Sequence, residues 1–240
     1  GVPGSNTVTF DPSLSGPTSK ITLTTGEIII TDNLTIQGPG ASQLAVSGNN
    51  ASRIFTIASG KTVVIDSLKL QNGYTPNAGG AIDNAGTLTV SHCDLINSTA
   101  DGFYSGGAIS SGGTLTVINS SLSGNTGGHG GGAIDNTGTA DVINSVLSNN
   151  TSLGNNGGIF NWTTMTVTGS TLSGNNGYGI ANYGTLTVMD STLVGNVGGG
   201  LSNGANTLTV INSTLTNNTC SGGCGGAGIA NYTGTVIVTN

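Results

Sequence analysis

The sequence predicts an all-β protein in which short parallel strands wind into a single-stranded β-helix. Three observations predict this fold: a composition poor in helix formers, a repeat of apolar anchor residues, and alternation of inward and outward residues inside each repeat. No segment between the repeated strands is long enough for a crossover helix, so equivalent strands must pair in parallel from one coil to the next.

The composition excludes helical and membrane-spanning classes. The chain of 240 residues has 43 glycines, 6% charged residues and 4% aromatic residues, and Glu27 and Arg53 are its only Glu and Arg. Such a shortage of strong helix formers excludes an all-α protein. No apolar run reaches the length of a transmembrane helix. The 35% hydrophobic residues recur at fixed places, which argues against disorder.

The distribution of charge narrows the choice of partners. The net charge is −6, and residues 70–240 contain no Lys or Arg. A nucleic-acid partner is therefore excluded for most of the chain, because phosphates are neutralised by Lys and Arg, and an anionic polysaccharide is disfavoured for the same reason. His92 and His129 are not placed to complete a zinc site with the cysteines, so we expect no metal and no cofactor.

A repeat dominates the chain from about residue 60 and predicts one domain. Each repeat has Gly-rich residues, then an apolar anchor, then usually Asn two places later. The anchors are Ile82, Ile109, Ile134, Ile159, Ile180, Leu201 and Ile229. We expect about 8–9 coils of 21–28 residues in a single domain, 1–240, with irregular coils over 1–60 and regular repeats over 61–240.

Each repeat is expected to contain three short strands. Segments like Thr87–Val90 alternate with period two, which places Leu and Val inside and Thr outside. A column of small residues predicts an inner Ser ladder, in which Cys93 would be a buried residue and not a nucleophile. The recurring Asn is interpreted as a turn ladder whose amides satisfy polar groups between coils.

Cys220 and Cys224 frame the tether Ser-Gly-Gly, and this spacing allows two interpretations. A disulfide that closes a small surface turn would indicate an oxidising compartment. The alternative is a pair of unpaired thiols in a loop.

Two sets of motifs resemble known bacterial surface proteins. The tetrapeptide Gly-Gly-Ala-Ile at 79–82, 106–109 and 131–134 is similar to that of chlamydial polymorphic outer membrane proteins, and Leu-x-x-Asn, as in Leu122 to Asn125, resembles their Phe-x-x-Asn partner motif. The opening, from Thr9-Phe10-Asp11-Pro12 through Gly38-Pro39-Gly40 to Ser47-Gly48-Asn49-Asn50, is similar to CSLREA-type secreted proteins. The resemblance covers nearly the whole chain and implies a right-handed β-helix in a secreted or cell-surface protein.

The resemblance is incomplete at both ends. The CSLREA-type leader and an autotransporter barrel are not part of these 240 residues. We therefore expect the chain to be a processed or excised part.

Aromatic residues supply the candidate ligand site. Trp162 and Tyr183 occupy equivalent positions on adjacent coils, and Tyr232 follows two coils later with Gly204 between. Such a row could stack on carbohydrate, although aromatic residues more often stack on each other to cover a turn. The variable turn of the repeat gathers three further candidates, namely Phe103, Tyr104 and Tyr178.

Two further activities have weaker support. Asp83 and Asp135 lie at equivalent positions two coils apart, where a polysaccharide hydrolase would need paired carboxylates, but the simpler interpretation treats both as solvated turn aspartates. Outward Thr pairs, such as Thr87 with Thr89, form a regular array that resembles those of β-helical antifreeze proteins, although Thr is also common on solvent-facing strands.

The combined prediction is a non-catalytic, extracellular structural or adhesive β-helix. Exposed ends of such a fold favour head-to-tail stacking into a filament, so the expected partners are further copies of the chain or a cell-surface or matrix component. The alternative is a carbohydrate-binding surface module that takes glycans as partners. A polysaccharide-degrading enzyme and an ice-binding protein rank below it.

Overall fold

The computed structural model describes residues 6–103, 105–220 and 224–240. In this part of the chain there are 32 strands and one 3₁₀ turn, Pro12–Leu14, and no α-helix. The strands form four sheets in which all hydrogen-bonded neighbours run parallel, so the protein is a β-solenoid of about nine turns. The predicted fold class is confirmed. No helix in the described part of the chain is long and apolar enough to cross a membrane.

Sheet 1 contains the anchor residues of the repeat. Its nine strands are Ile28–Ile30, Phe55–Ile57, Ile82–Asn84, Ile109–Ser111, Ile134–Asn136, Ile159–Asn161, Tyr178–Asn182, Gly199–Asn203 and Ile229–Asn231. Sheet 2 follows it in each coil and contains the Thr-rich segments. Its ten strands are Asn6–Thr9, Leu34–Gln37, Thr62–Asp66, Thr87–Ser91, Thr114–Ile118, Thr139–Ile143, Thr164–Thr168, Thr185–Met189, Thr207–Ile211 and Thr235–Thr239.

Sheets 3 and 4 complete the coil. The nine strands of sheet 3 are Lys20–Thr22, Ala45–Ser47, Lys69–Gln71, Asp94–Ile96, Ser121–Ser123, Val146–Ser148, Thr171–Ser173, Thr192–Val194 and Thr214–Thr216. Sheet 4 has four strands of two residues, which the expectation of three strands per coil missed. They are Tyr74–Thr75, Thr99–Ala100, Thr126–Gly127 and Thr151–Ser152. Two-residue strands carry no periodicity that a sequence pattern can detect.

Apolar residues from sheets 1, 2 and 3 fill one continuous core. Within a coil such as the one starting at Ile82, the residues Leu88, Val90 and Leu95 are fully buried and belong to the same cluster. The alternation predicted from the sequence therefore holds in sheet 2 from Thr62–Asp66 to Thr207–Ile211, whereas the last strand, Thr235–Thr239, is largely exposed. The first coil is less filled, and its cavity of about 250 Å³ is lined by residues such as Phe10, Ile21 and Phe55.

The predicted Ser ladder joins sheets 2 and 3 on the inside. The backbone amide of each member donates to the side chain of the next member, one coil further on, at 3.1 Å. The members are Cys93, Ser120, Ser145, Ser170, Ser191 and Ser213. Burial raises the pKa of the Cys93 thiol to about 12, so the thiol stays protonated. The expectation that Cys93 is a buried ladder residue is confirmed.

Two Asn ladders run parallel to the Ser ladder. In the first, the amide nitrogen of Asn136 donates to Asn161 and that of Asn161 to Asn182, each at 2.8 Å. This ladder lies at the ends of buried strands of sheet 1 and not in turns, which corrects the predicted location. The second ladder uses the Asn of Leu-x-x-Asn, where Asn125 donates to Asn150 at 3.0 Å. Both ladders supply partners that buried backbone groups at the corners need.

Close packing of adjacent coils explains the Gly-Gly-Ala-Ile motif. A Cβ on Gly131 would overlap the carbonyl oxygen of Ile134 within the same motif. A Cβ on Gly107 would overlap the carbonyl oxygen of Gly132, which is the second glycine of the next copy. Ala133, which follows these glycines, is fully buried. The glycines of the motif therefore allow the backbones of adjacent coils to come into direct contact.

Candidate functional site

The outer face of sheet 1 changes from polar to apolar between Asp135 and Phe160. One column of outward residues runs in register through Asp83, Ser110, Asp135, Phe160 and Ala181. The side chain of Asp83 is 38% exposed, whereas Asp135 is only 3% exposed and Phe160 only 2%. The Gly-rich segments lie against this column, as shown by Gly106 at the amide of Asp135. A covered site therefore forms outside the main core.

Asp135 is a buried carboxyl within this covered face. It shares a side-chain hydrogen bond with Trp162, and its Oδ1 atom is buried without a hydrogen-bond partner. Burial raises the pKa of Asp135 to about 7, although the bond with Trp162 acts in the opposite direction. The expectation that Asp135 is a solvated turn aspartate is wrong, because Trp162 and the Gly-rich segment cover it.

Three aromatic rings pack beside Asp135. The ring centroids of Phe160 and Trp162 are 4.6 Å apart, and those of Phe160 and Tyr183 are 5.5 Å apart, both in edge-on contact. The rings of Trp162 and Tyr183 lie 5.5 Å apart and are inclined by 35°. Phe160 is thus a buried support for two rings that reach solvent. The sequence pattern did not single out Phe160, although it precedes Trp162 by only two residues.

Trp162, Tyr183 and Tyr232 form a row along the solenoid axis, here called the aromatic strip. Each backbone amide in the row donates to an Asn carbonyl of the preceding coil, which places the three residues at one position of the repeat. Gly204 holds the same position between Tyr183 and Tyr232, and the Tyr183 ring lies over it. Tyr183 is 43% exposed and Tyr232 is 53% exposed. The predicted equivalence of these positions is therefore present in the structure.

Tyr178 lies beneath the end of the strip and not in a variable loop. It begins the strand Tyr178–Asn182, and burial raises the pKa of its hydroxyl. That hydroxyl donates to the carbonyl oxygen of Cys224 at 2.9 Å and shares a hydrogen bond of 2.9 Å with the hydroxyl of Tyr232. Its expected position in the turn is wrong, because this coil is short and the turn has been replaced by an extension of sheet 1.

Cys220 and Cys224 are joined by a disulfide, with their Cα atoms 5.8 Å apart. Cys224 packs against the small apolar cluster that contains Phe160, Tyr178 and Ala230. The disulfide therefore lies beside the aromatic strip and holds the Cys224 carbonyl to which Tyr178 donates.

The other aromatic candidates lie elsewhere. Phe103 is 61% exposed and stacks on His129, with ring centroids 4.3 Å apart and an angle of 15° between the rings. This pair belongs to the turn that follows sheet 4. Tyr104 lies outside the described residues.

A separate charged cluster occupies the first coils. The Arg53 guanidinium donates to Glu27 at 2.6 Å and to the carbonyl oxygen of Ala78 at 2.8 Å, and it lies 3.8 Å from Asp83. Burial raises the pKa of Asp83, while the charge of Arg53 opposes that shift. The arrangement ties three coils together. The two carboxyl groups therefore differ in exposure and in partners.

Asp66 is the centre of a polar network at the corner between sheets 2 and 3. Burial alone would raise its pKa, but four hydrogen bonds outweigh burial and lower the pKa to about 2. The donors are Gln37, Ser67, Ser91 and His92. Ser91 and His92 both bond to Asp66 and not to each other. The network therefore stabilises the corner between the sheets and does not have the geometry of a nucleophile hydrogen-bonded to its base.

The outer face of sheet 2 carries threonines in register. Thr87 pairs with Thr114, and Thr114 with Thr139, and the column continues through Thr164 to Thr185. Asp141 interrupts the neighbouring column between Thr116 and Thr166.

Within the described ranges, no group of three or more His, Cys, Asp or Glu side chains could hold a metal ion. Comparison with protein-family models, with curated proteins and with solved structures finds no match to this chain.

Proposed function

We propose that the protein is a non-catalytic, extracellular β-helix with a structural or adhesive role. The observation that carries this proposal is the use of the polar side chains. The Ser ladder and both Asn ladders place their hydroxyl and amide groups inside the solenoid, where they bond to backbone and to each other. Such groups stabilise the scaffold and leave few side chains on the surface that could act on a substrate.

The shape of the molecule supports the same role. About nine turns at a spacing of roughly 4.8 Å give a rod of roughly 40 Å. The sheets pair each coil with its neighbours, so the same strand pattern repeats along the rod. The disulfide between Cys220 and Cys224 favours an oxidising, extracellular location.

The environments of the two candidate carboxylates favour a non-catalytic role. A glycosidase needs two carboxyl groups on either side of the bond to be broken. Asp135 is buried under Trp162, and Asp83 lies 3.8 Å from the Arg53 guanidinium. The geometry thus offers one partly accessible carboxyl and one covered carboxyl.

The experiment is a combined test of location, attachment and turnover. Antibodies against the purified chain should label intact cells of the producing organism, and beads coated with the chain should attach to surfaces that uncoated beads do not hold. Incubation with a panel of polysaccharides should release no new reducing ends. Labelling only after lysis, or release of sugars that persists in purified protein, would overturn the proposal.

A further inference from the structure

We infer that the aromatic strip, Trp162, Tyr183 and Tyr232, is a binding site for a single neutral polysaccharide chain lying along the solenoid axis. This inference deepens the proposed adhesive role and rests on it in one respect: the site is taken to bind its ligand without cleaving it. Three features of the site support it: the packing beneath the rings, the charge around them and one buried oxygen atom without a hydrogen-bond partner.

The rings are held in place before any ligand arrives. Phe160 packs edge-on against both Trp162 and Tyr183, and the Tyr183 ring rests on the backbone of Gly204. Tyr232 is held through its hydroxyl by Tyr178. Ordering of these side chains is therefore complete in the folded protein, which lowers the entropic cost of binding.

The exposure of the rings fits a ligand with both apolar faces and hydroxyl groups. Tyr183 and Tyr232 are about half exposed although each has an apolar ring. A pyranose ring offers C–H groups on its faces for stacking and hydroxyls at its edge for hydrogen bonds, which matches an aromatic body with a polar tip. The three coil steps from Trp162 to Tyr232 span roughly 14 Å, enough for several sugar units in line.

The charge around the strip selects a neutral chain. No Lys or Arg occurs after Lys69, so no cation from the coils that form the strip can pair with a uronate or a sulfate. Asp135 is hydrogen-bonded to Trp162 and would repel an anionic ligand when ionised. A neutral polysaccharide avoids both costs.

Asp135 supplies a second, independent observation. Its Oδ1 is buried and unpartnered while the same carboxyl bonds to Trp162. Most buried polar atoms in native proteins have a hydrogen-bond partner, so an orphaned oxygen beneath an exposed ring calls for a donor from outside the chain. A sugar hydroxyl is a donor of the kind that this acceptor lacks.

The angle between the rings separates soluble chains from crystalline surfaces. Trp162 and Tyr183 are inclined by 35° and so do not form one plane. A flat crystal face needs coplanar rings, whereas a single chain can twist from one ring to the next. We therefore expect binding to soluble neutral chains and not to crystalline cellulose.

The test is titration calorimetry of the intact protein with soluble xyloglucan and mixed-linkage β-glucan, with polygalacturonate and crystalline cellulose as contrasting ligands. Trp162→Ala and Tyr183→Ala should each weaken the affinity for neutral chains roughly tenfold. Phe103→Ala, which removes an exposed ring outside the strip, should leave the affinity unchanged. Circular dichroism melts establish that each variant is folded, and Trp162→Phe, which keeps a ring, should retain most of the binding if Trp162→Ala does not fold.

The outcomes are distinct. Absence of binding to both neutral chains overturns the inference, as does binding that neither strip variant weakens or equal binding to polygalacturonate. Reducing ends measured in the same samples report separately on the proposed function: neutral chains that bind and are then cleaved would overturn the non-catalytic role while leaving the binding site intact.

Discussion

The backbone amide of Ser120 donates a hydrogen bond of 3.1 Å to the hydroxyl of Ser145, one coil further along the solenoid. The Ser145 hydroxyl in turn donates to the carbonyl oxygen of Ile143 at 2.8 Å. One buried hydroxyl thus bonds to two backbone groups at the corner between sheets 2 and 3, where the Ile143 carbonyl oxygen also accepts from the backbone amide of Asn119. The same amide-to-side-chain hydrogen bond recurs along the ladder. The effect of removing one ladder hydroxyl on the free energy of unfolding can be measured.

Replacement of Ser145 by Ala should destabilise the protein by about 1–3 kcal/mol, because it leaves the buried amide of Ser120 without an acceptor. Equilibrium unfolding in guanidinium chloride measures this change. Cys93→Ser is the matched control, since it puts a hydroxyl at another position of the same ladder and should change the stability by less than about 1 kcal/mol. Equal stability of Ser145→Ala and the parent protein would show that the ladder has no energetic role.

Gly131 should not tolerate a side chain. Its Cβ would overlap the carbonyl oxygen of Ile134, so Gly131→Ala should either prevent folding or lower the unfolding free energy by more than about 3 kcal/mol. Gly112→Ala is the control, because the nearest atom to its Cβ would be Thr137 Oγ1 at 3.7 Å. Thermal melts of the two variants should differ clearly. Similar melting temperatures would contradict the backbone contact.

The stability of the protein should fall as the pH rises from about 4 to 7. Asp135 has a pKa of about 7 in the folded state and 3.8 as its ordinary value. Within that window the folded protein holds a proton that the unfolded chain has lost, so rising pH favours unfolding. A shift of roughly three units corresponds to about 4 kcal/mol, fully lost above pH 7.

Asp135→Asn should flatten this pH dependence. Asp83, whose pKa is also raised, adds a smaller slope of the same sign, whereas Asp66 acts only below pH 3.8 because its pKa is lowered to about 2. Denaturant titrations at several pH values measure the slope. Asp141→Asn, which removes one charge from the outer face of sheet 2, should keep it. An unchanged slope in Asp135→Asn would show that Asp135 titrates normally.

Loss of the disulfide should loosen the end of the aromatic strip. The double variant Cys220→Ser with Cys224→Ser opens a loop with a sequence separation of 4 and should lower the unfolding free energy by about 2 kcal/mol. It also frees the Cys224 carbonyl that accepts from Tyr178. Amide hydrogen exchange should increase around Tyr178 and Tyr232. Dithiothreitol should have the same effect on the parent protein and none on the double variant.

Periodic features of the structure were predictable from the sequence. Leu88 and Val90 face inward while Thr87 and Thr89 face outward, as the alternation indicates. Cys93 belongs to the Ser ladder because its position in the repeat matches that of Ser120. In these cases the same residue recurs at the same place in each coil, so a single sequence contains several copies of the evidence.

Features that occur once were not predictable. Tyr178 was expected in a turn, but the shorter coil places it in a strand. Asp135 has the same place in the repeat as Asp83, yet it is buried because its neighbour one coil further on is Phe160 and because Trp162 covers it. The environment of each depends on side chains that come together only from adjacent coils.

The sequence by itself therefore determined the solenoid, its inward and outward faces and the row formed by Trp162, Tyr183 and Tyr232, because periodic spacing dictates which residues share a face. Only the tertiary structure decided which outward residues are covered. Phe160 supports the strip and Asp135 lies buried below it, since burial outside the core is decided by contacts between coils and not by the spacing within any one of them.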